Sequence, residues 1–246
     1  KQAHGACLVQ YGETVALCTV TAQDRPTHLP FFPLTVEYRT RSYAAGKIPG
    51  GFFKREGRPA EQDILAARLI DRPIRPLFPD GFQNETQVMI HVLSADQEND
   101  ADVLSMIGVS IALNLSKIPF EEPIAGVRIG RIQGQWVLNP TFQQLEYSDV
   151  EIVVAGTEEA IMMVEGGAVE VPEEEIAEGL IAAHEGIKEL CRIQREFMEG
   201  LQQPKMQWEK TEIDESLKSR VAELSDKLIG KAMAVADKAT RNEQLS

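Results

Sequence analysis

Residues Phe52-Phe53-Lys54-Arg55-Glu56-Gly57-Arg58-Pro59 place two aromatics beside three cations, with Gly50, Gly51 and Gly57 letting the backbone turn. That pattern suits single-stranded RNA, because rings stack on bases while Lys and Arg hold phosphates. The competing reading puts both rings into the core and leaves the cations to keep the loop wet. Consecutive side chains of an extended loop point opposite ways, however, so the two rings do not readily enter one core. Downstream, Arg68, Arg72 and Arg75 are spaced i, i+4 and i+7, which brings at least the first two to one helix face. The helix dipole favours cations at that end without any ligand. Three such arginines following the loop cations could instead surround a phosphodiester.

Charge is unevenly spread around this segment. Among the 246 residues, 25 Lys and Arg stand against 38 Asp and Glu, a net charge of −13. That balance excludes a generally basic protein that coats nucleic acid. Between Arg39 and Arg75, nine cations (Arg39, Arg41, Lys47, Lys54, Arg55, Arg58, Arg68, Arg72, Arg75) meet only four acids (Glu56, Glu61, Asp63, Asp71). An anion repelled elsewhere has one place to go. Other chemistries lack their residues: His4, His28, His91 and His184 share no metal or triad spacing, and no phosphate-binding GxxxxGK[ST] loop occurs. Cys7, Cys18 and Cys191 lack CxxC spacing, which argues against a zinc site and a disulfide framework and for a reducing compartment. No run of about 18 apolar residues suggests a membrane span. A first residue of Lys1 rather than Met reads as a chain whose start is missing.

The elements that must position these residues mix strands and helices without a regular βαβ repeat, so the expected class is α+β. A hairpin is expected around Tyr11-Gly12-Glu13, a strand over Phe32 to Tyr43, and a helix from Pro59 stopped by Pro73 and Pro76. A strand follows at Thr86 to Ser94, then a core-facing helix over Asp102 to Leu115 and four short strands between Ile124 and Glu165. From Pro172 the periodicity turns helical, with Glu173, Glu174 and Glu175 in the opening turn, where the dipole favours acids. One helix is expected over 173–200, a break at Gln202-Gln203-Pro204, and another helical stretch from Glu215 to Ala239. The expected domains are therefore 1–170 and 171–246.

The blocks FFKREGRP and ARLIDRPIRPLFPDGF (Ala67 to Phe82) resemble the polynucleotide phosphorylase family of phosphorolytic 3′-to-5′ exoribonucleases. So do FFPLTVEY (Phe31 to Tyr38), SYAAGKIPG (Ser42 to Gly50), VLNPT (Val137 to Thr141) and VVAGTEEAIMMVEG (Val153 to Gly166). The resemblance implies a first ribonuclease PH-like domain, of the ribosomal protein S5 domain 2-like fold, over 1–170. An all-helical linker domain over 171–246 would follow, with the family's first strand and its second ribonuclease PH-like domain absent. It implies a homotrimeric ring threaded by single-stranded RNA, gripped by Phe52, Phe53, Lys54 and Arg55, with Arg58, Arg68 and Arg72 facing the catalytic half. It also implies release of nucleoside diphosphates during mRNA degradation, in the cytoplasm of a bacterium or in an organelle, away from membranes, with RNA-degradosome components as partners.

Catalytic and metal-binding residues are expected to be absent from this chain, which alone should be inactive. The resemblance implies that Asp100-Ala101-Asp102-Val103 stands where active domains cradle phosphate and that Leu145 and Glu151 stand at the metal positions, so Mg²⁺ and inorganic phosphate are expected on the missing second domain. The alternative is a non-enzymatic RNA-binding ring subunit of an exosome-like assembly. A helical linker argues against it, since a lone ring subunit has no second domain to join.

Overall fold

The computed structural model describes residues 2–208 and 214–245, which fall into two compact units, 1–208 and 209–246. In the first unit, β1 (Gly5–Tyr11) and β2 (Thr14–Pro26) form the expected hairpin. β3 (Leu34–Thr40) runs parallel to β4 (Asn84–Ser94), giving a four-stranded sheet of order β1-β2-β4-β3. Between β3 and β4 lies α1 (Glu61–Ile74), and α2 (Ala101–Leu115) follows β4. A second antiparallel sheet of order β6-β5-β7-β8 contains β5 (Ala125–Ile132), β6 (Gln135–Leu138), β7 (Ser148–Gly156) and β8 (Ile161–Ala168). The single-turn α3 (Phe142–Leu145) precedes β7, and α4 (Glu173–Met198) follows β8.

Helix α2 is apolar all round and packs against β1 and β2 on one side and β5 and α4 on the other. A helix of that kind is stable only when enclosed. The main core joins the first sheet to α1 and α2, and a ring cluster of Phe32, Phe78, Phe82 and Phe120 sits within it, with neighbouring centroids 4.6–6.1 Å apart. The smaller core lies between the second sheet and α4.

Three sequence expectations shift. The strand expected over Phe32 to Tyr43 is shorter, because Ser42–Ala45 closes into a 3₁₀ turn that ends on the left-handed Gly46. Helix α1 is not stopped at Pro73: the proline forgoes one backbone hydrogen bond, but Ile70 and Ile74 on the same face are fully buried and carry the helix one residue further. Most consequentially, the chain does not divide at 170. Gly179, Ala183, Ile187, Cys191, Gln194 and Met198 form a buried stripe on α4, and its central residues cover Val127, Ile129, Ile152 and Val154 of the second sheet. The change of periodicity at Pro172 marks a new element, whereas the compact unit runs on to Trp208.

In the second unit, α5 (Glu215–Met233) is capped by Asp214, whose carboxylate accepts from the amides of Ser216 and Leu217. The helix expected to continue to Ala239 ends at Met233, and α6 (Lys238–Leu245) begins anew with Asp237 accepting from the Thr240 amide.

Candidate functional site

The loop between the 3₁₀ turn and α1 has a pinned base and a free tip. Ser42 donates from its amide to Glu56 Oε1 at 2.8 Å and from its hydroxyl to Oε2 at 3.4 Å, while the Lys47 amide donates to the Ser42 carbonyl. Between these ties the chain turns through Gly51 (φ +76°) and Lys54 (φ +50°). Phe52 is 94% exposed and Phe53 81% exposed, their rings meeting edge to face with centroids 5.5 Å apart. Neither ring enters the core. Lys54, Arg55 and Arg58 are exposed beside them and form no ion pair among the described residues. Two solvated rings and three uncompensated cations on one loop are the requirements for stacking bases and holding phosphates.

Helix α1 is fixed to β3 by a buried carboxylate: Asp63 accepts from the Thr40 amide through Oδ1 and from the Ala60 amide through Oδ2, each at 3.2 Å. The three helix arginines then separate in role. Arg75 donates to the carbonyls of Phe32 and Leu34 and to both oxygens of Asp71, so it ties the helix to the strand entrance rather than meeting a ligand. Arg72 pairs with Glu165 of β8. Arg68 is exposed and unpaired among the described residues, at the rim of a groove between β3 and α1. The i, i+4, i+7 spacing gave no sign of this division, because apart from Asp71, four residues before Arg75, the partners lie 41 to 93 residues away.

A larger cavity of about 850 Å³ opens between α1, the start of α2 and strands β7 and β8. Its lining includes Asp63, Asp100, Asp102, Asp149, Glu151 and Glu165 against the single cation Arg128. Asp100 caps α2 by accepting from the Asp102 amide, and Asp102 accepts from the Val103 amide at 2.6 Å. Arg128, its side chain only 12% exposed, donates Nη2 to Asp100 (3.0 Å) and Asp102 (2.7 Å) and Nη1 to Glu151 (2.5 Å). Burial pushes the Asp102 carboxyl up to about 6, with Asp100 adding to the rise and Arg128 opposing it. Burial likewise raises the Tyr38 phenol, helped by Asp100 and Asp102.

This arrangement does not fit phosphate or Mg²⁺. The helix N-terminus that would attract an anion already carries two carboxylates. The guanidinium they hold is engaged on three acids. Glu151 is drawn to Arg128, and Leu145, which offers no oxygen, packs beside Gly130. Among the described residues no group of three His, Cys, Asp or Glu side chains has metal-holding geometry. The sequence showed the acids; Arg128, their partner, was missed, since nothing local distinguishes an arginine in β5 that serves as a buried counterion.

The pinned aromatic and cationic loop stands on a two-sheet α/β unit that the 3′ exoribonuclease family model matches, its domain 1 over residues 1–119 and its domain 2 over residues 122–186. The chain belongs to that family. The junction of the two matches falls between the two sheets, and the second match ends inside α4. Among similar proteins is the polyribonucleotide nucleotidyltransferase of Gemmatimonas aurantiaca, 59% identical over 99% of this chain and 33% of its own length. That of Bacillus subtilis is 52% identical over all of this chain and 35% of its own. The chain thus spans about a third of the length of these relatives. A solved structure described as the Archaeoglobus fulgidus exosome with RNA bound to the active site shares the fold at TM-score 0.59 and 19% identity, covering 80% of this chain and 84% of its own.

Proposed function

We propose that this chain is the RNA-gripping, non-catalytic first part of a phosphorolytic 3′-to-5′ exoribonuclease. The observation that carries the reading is the loop, whose rings are exposed and whose cations form no ion pair among the described residues, in a chain that otherwise has an acidic balance. The reaction of the whole enzyme would be attack of inorganic phosphate on the 3′-terminal phosphodiester, releasing a nucleoside diphosphate. Positioning and charge stabilisation dominate such phosphoryl transfer. The acidic cavity and its engaged arginine make this unit unsuited to hold phosphate or Mg²⁺, which would bind elsewhere in the longer protein. Arg58 and Arg68 are the unpaired cations available to face a catalytic half, and Arg72 would have to leave Glu165 to join them. The homotrimeric ring, the RNA-degradosome partners and the cytoplasmic setting belong to the same proposal. No helix among the described residues is long and apolar enough to cross a membrane.

The test is titration of fluorescent single-stranded RNA with this chain and with its Phe52→Ala/Phe53→Ala variant, read by anisotropy. Stacking is worth roughly 1 to 3 kcal/mol per base, so binding should weaken tenfold or more while the melting temperature stays within a few degrees. Unchanged affinity would overturn the assignment of the loop.

A further inference from the structure

The segment after α4 is a strap tied at three points. The chain turns at Gly200 (φ +74°), and residues 202–208 form neither helix nor strand. Lys205 Nζ donates to the carbonyls of Leu113 (3.3 Å), Asn114 (2.8 Å) and Ser116 (3.0 Å) at the C-terminal end of α2. The Met206 amide donates to the Lys117 carbonyl at 2.7 Å, and its side chain packs against the main core beside Asn84. Trp208 Nε1 donates to the Asp80 carbonyl at 3.3 Å. The strap therefore runs from the helix covering the second sheet, past the end of the enclosed helix, to the entrance of β4 in the first sheet.

An ammonium suits its place here for two reasons. The negative end of the α2 dipole attracts a cation, and three carbonyls converge on a group with three N–H donors. Lys117, the nearer lysine in sequence, turns its own ammonium to Asp24. We propose that Lys205 is the latch of this strap: it closes the last turn of α2 and fixes the course by which the chain leaves the first unit. Its loss frees residues 202–208 without unfolding the two sheets. Burial draws the Lys205 ammonium down to about 8, with Glu121 opposing.

The experiment uses the chain in a Trp136→Phe background, so that Trp208 is the sole indole. Lys205→Met should raise chymotryptic cleavage within 201–208 about tenfold at pH 7.5 and shift Trp208 emission to the red, with far-ultraviolet circular dichroism and the main melting transition retained. Hydrogen exchange of the unsubstituted chain supplies a second readout: the Met206 amide should be protected, yet exchange faster than the amides of α2. Three results would each overturn the latch. They are cleavage and emission unchanged by Lys205→Met, loss of the whole fold in that variant, and a Met206 amide that exchanges at the rate of an unstructured peptide.

Discussion

The residue scale is where Asp102 and Arg75 show what neighbours do to identical side-chain types. Asp102 sits among carboxylates in a buried position, so its proton is held to a pH above that of an exposed aspartate. In the unfolded chain the same group titrates near its ordinary value of about 3.9. The folded state therefore binds the extra proton between that value and about 6, and the contribution to stability declines as pH rises through this window. Carbon-13 NMR should show a carboxyl titrating near 6 that disappears in Asp102→Asn. In that variant the fall in stability from pH 4 to pH 7 should become shallower, as chemical denaturation would measure. Arg75 and Arg68 give a second contrast on one helix. Arg75→Ala removes donors from two backbone carbonyls and Asp71, costing about 1 to 2 kcal/mol. Arg68→Ala removes an exposed charge that is unpaired among the described residues and should leave stability within about 0.5 kcal/mol of the parent. Equal melting shifts for the two would refute the division of roles.

At the scale of elements, α4 shows both what a sequence carries and what it hides. Its helical periodicity and acidic opening turn are local properties and were legible from Glu173 onward. Its allegiance was not, because three of the six residues of the buried stripe, Gly179, Ala183 and Cys191, are small, and the stripe meets partners 35 to 70 residues away in sequence. Gly179 is the tightest point of that packing: a Cβ there would lie 2.7 to 2.9 Å from the Trp136 ring of β6. Gly179→Ala should therefore destabilise the first unit by roughly 1 to 3 kcal/mol through overpacking. Gly230 in α5 is the control, with nothing within 4 Å of its added Cβ. Gly230→Ala should gain up to about 1 kcal/mol of helix propensity, and thermal melts of the two variants should move in opposite directions. The candidate loop divides in the same way. Its composition announced rings and cations together, and the structure added the Glu56–Ser42 tie that holds its base. By contrast, Arg68, Arg72 and Arg75 looked alike until Glu165, Asp71 and two strand carbonyls supplied their partners.

For the whole molecule, the decisive feature is a basic segment carried on an acidic chain, with Asp100, Asp102 and Glu151 gathered on Arg128 at the N-terminus of α2. Under the proposed function, RNA would be gripped at one place and the chemistry done at another. On its own the chain should yield no nucleoside diphosphate from poly(A), phosphate and Mg²⁺, because its cavity presents carboxylates where phosphate would have to sit. In the full-length enzyme the two groups of cations should fail differently. Lys54 and Arg55 stand at the exposed loop tip, so Lys54→Ala/Arg55→Ala should raise KM for long RNA more than it lowers kcat. For every cation that no longer holds a phosphate, the salt slope of binding should also become shallower by about 0.7. Arg58 lies two residues beyond the Glu56 tie, before α1 begins, and Arg68 lies along the helix, so their joint replacement by Ala should lower kcat even on an oligonucleotide too short to reach the loop tip. Steady-state phosphorolysis of a long and a short substrate by both variants measures the difference. Identical defects on both substrates would mean that the cations form one undifferentiated surface, and that the pinned loop has no task separate from that of the helix behind it.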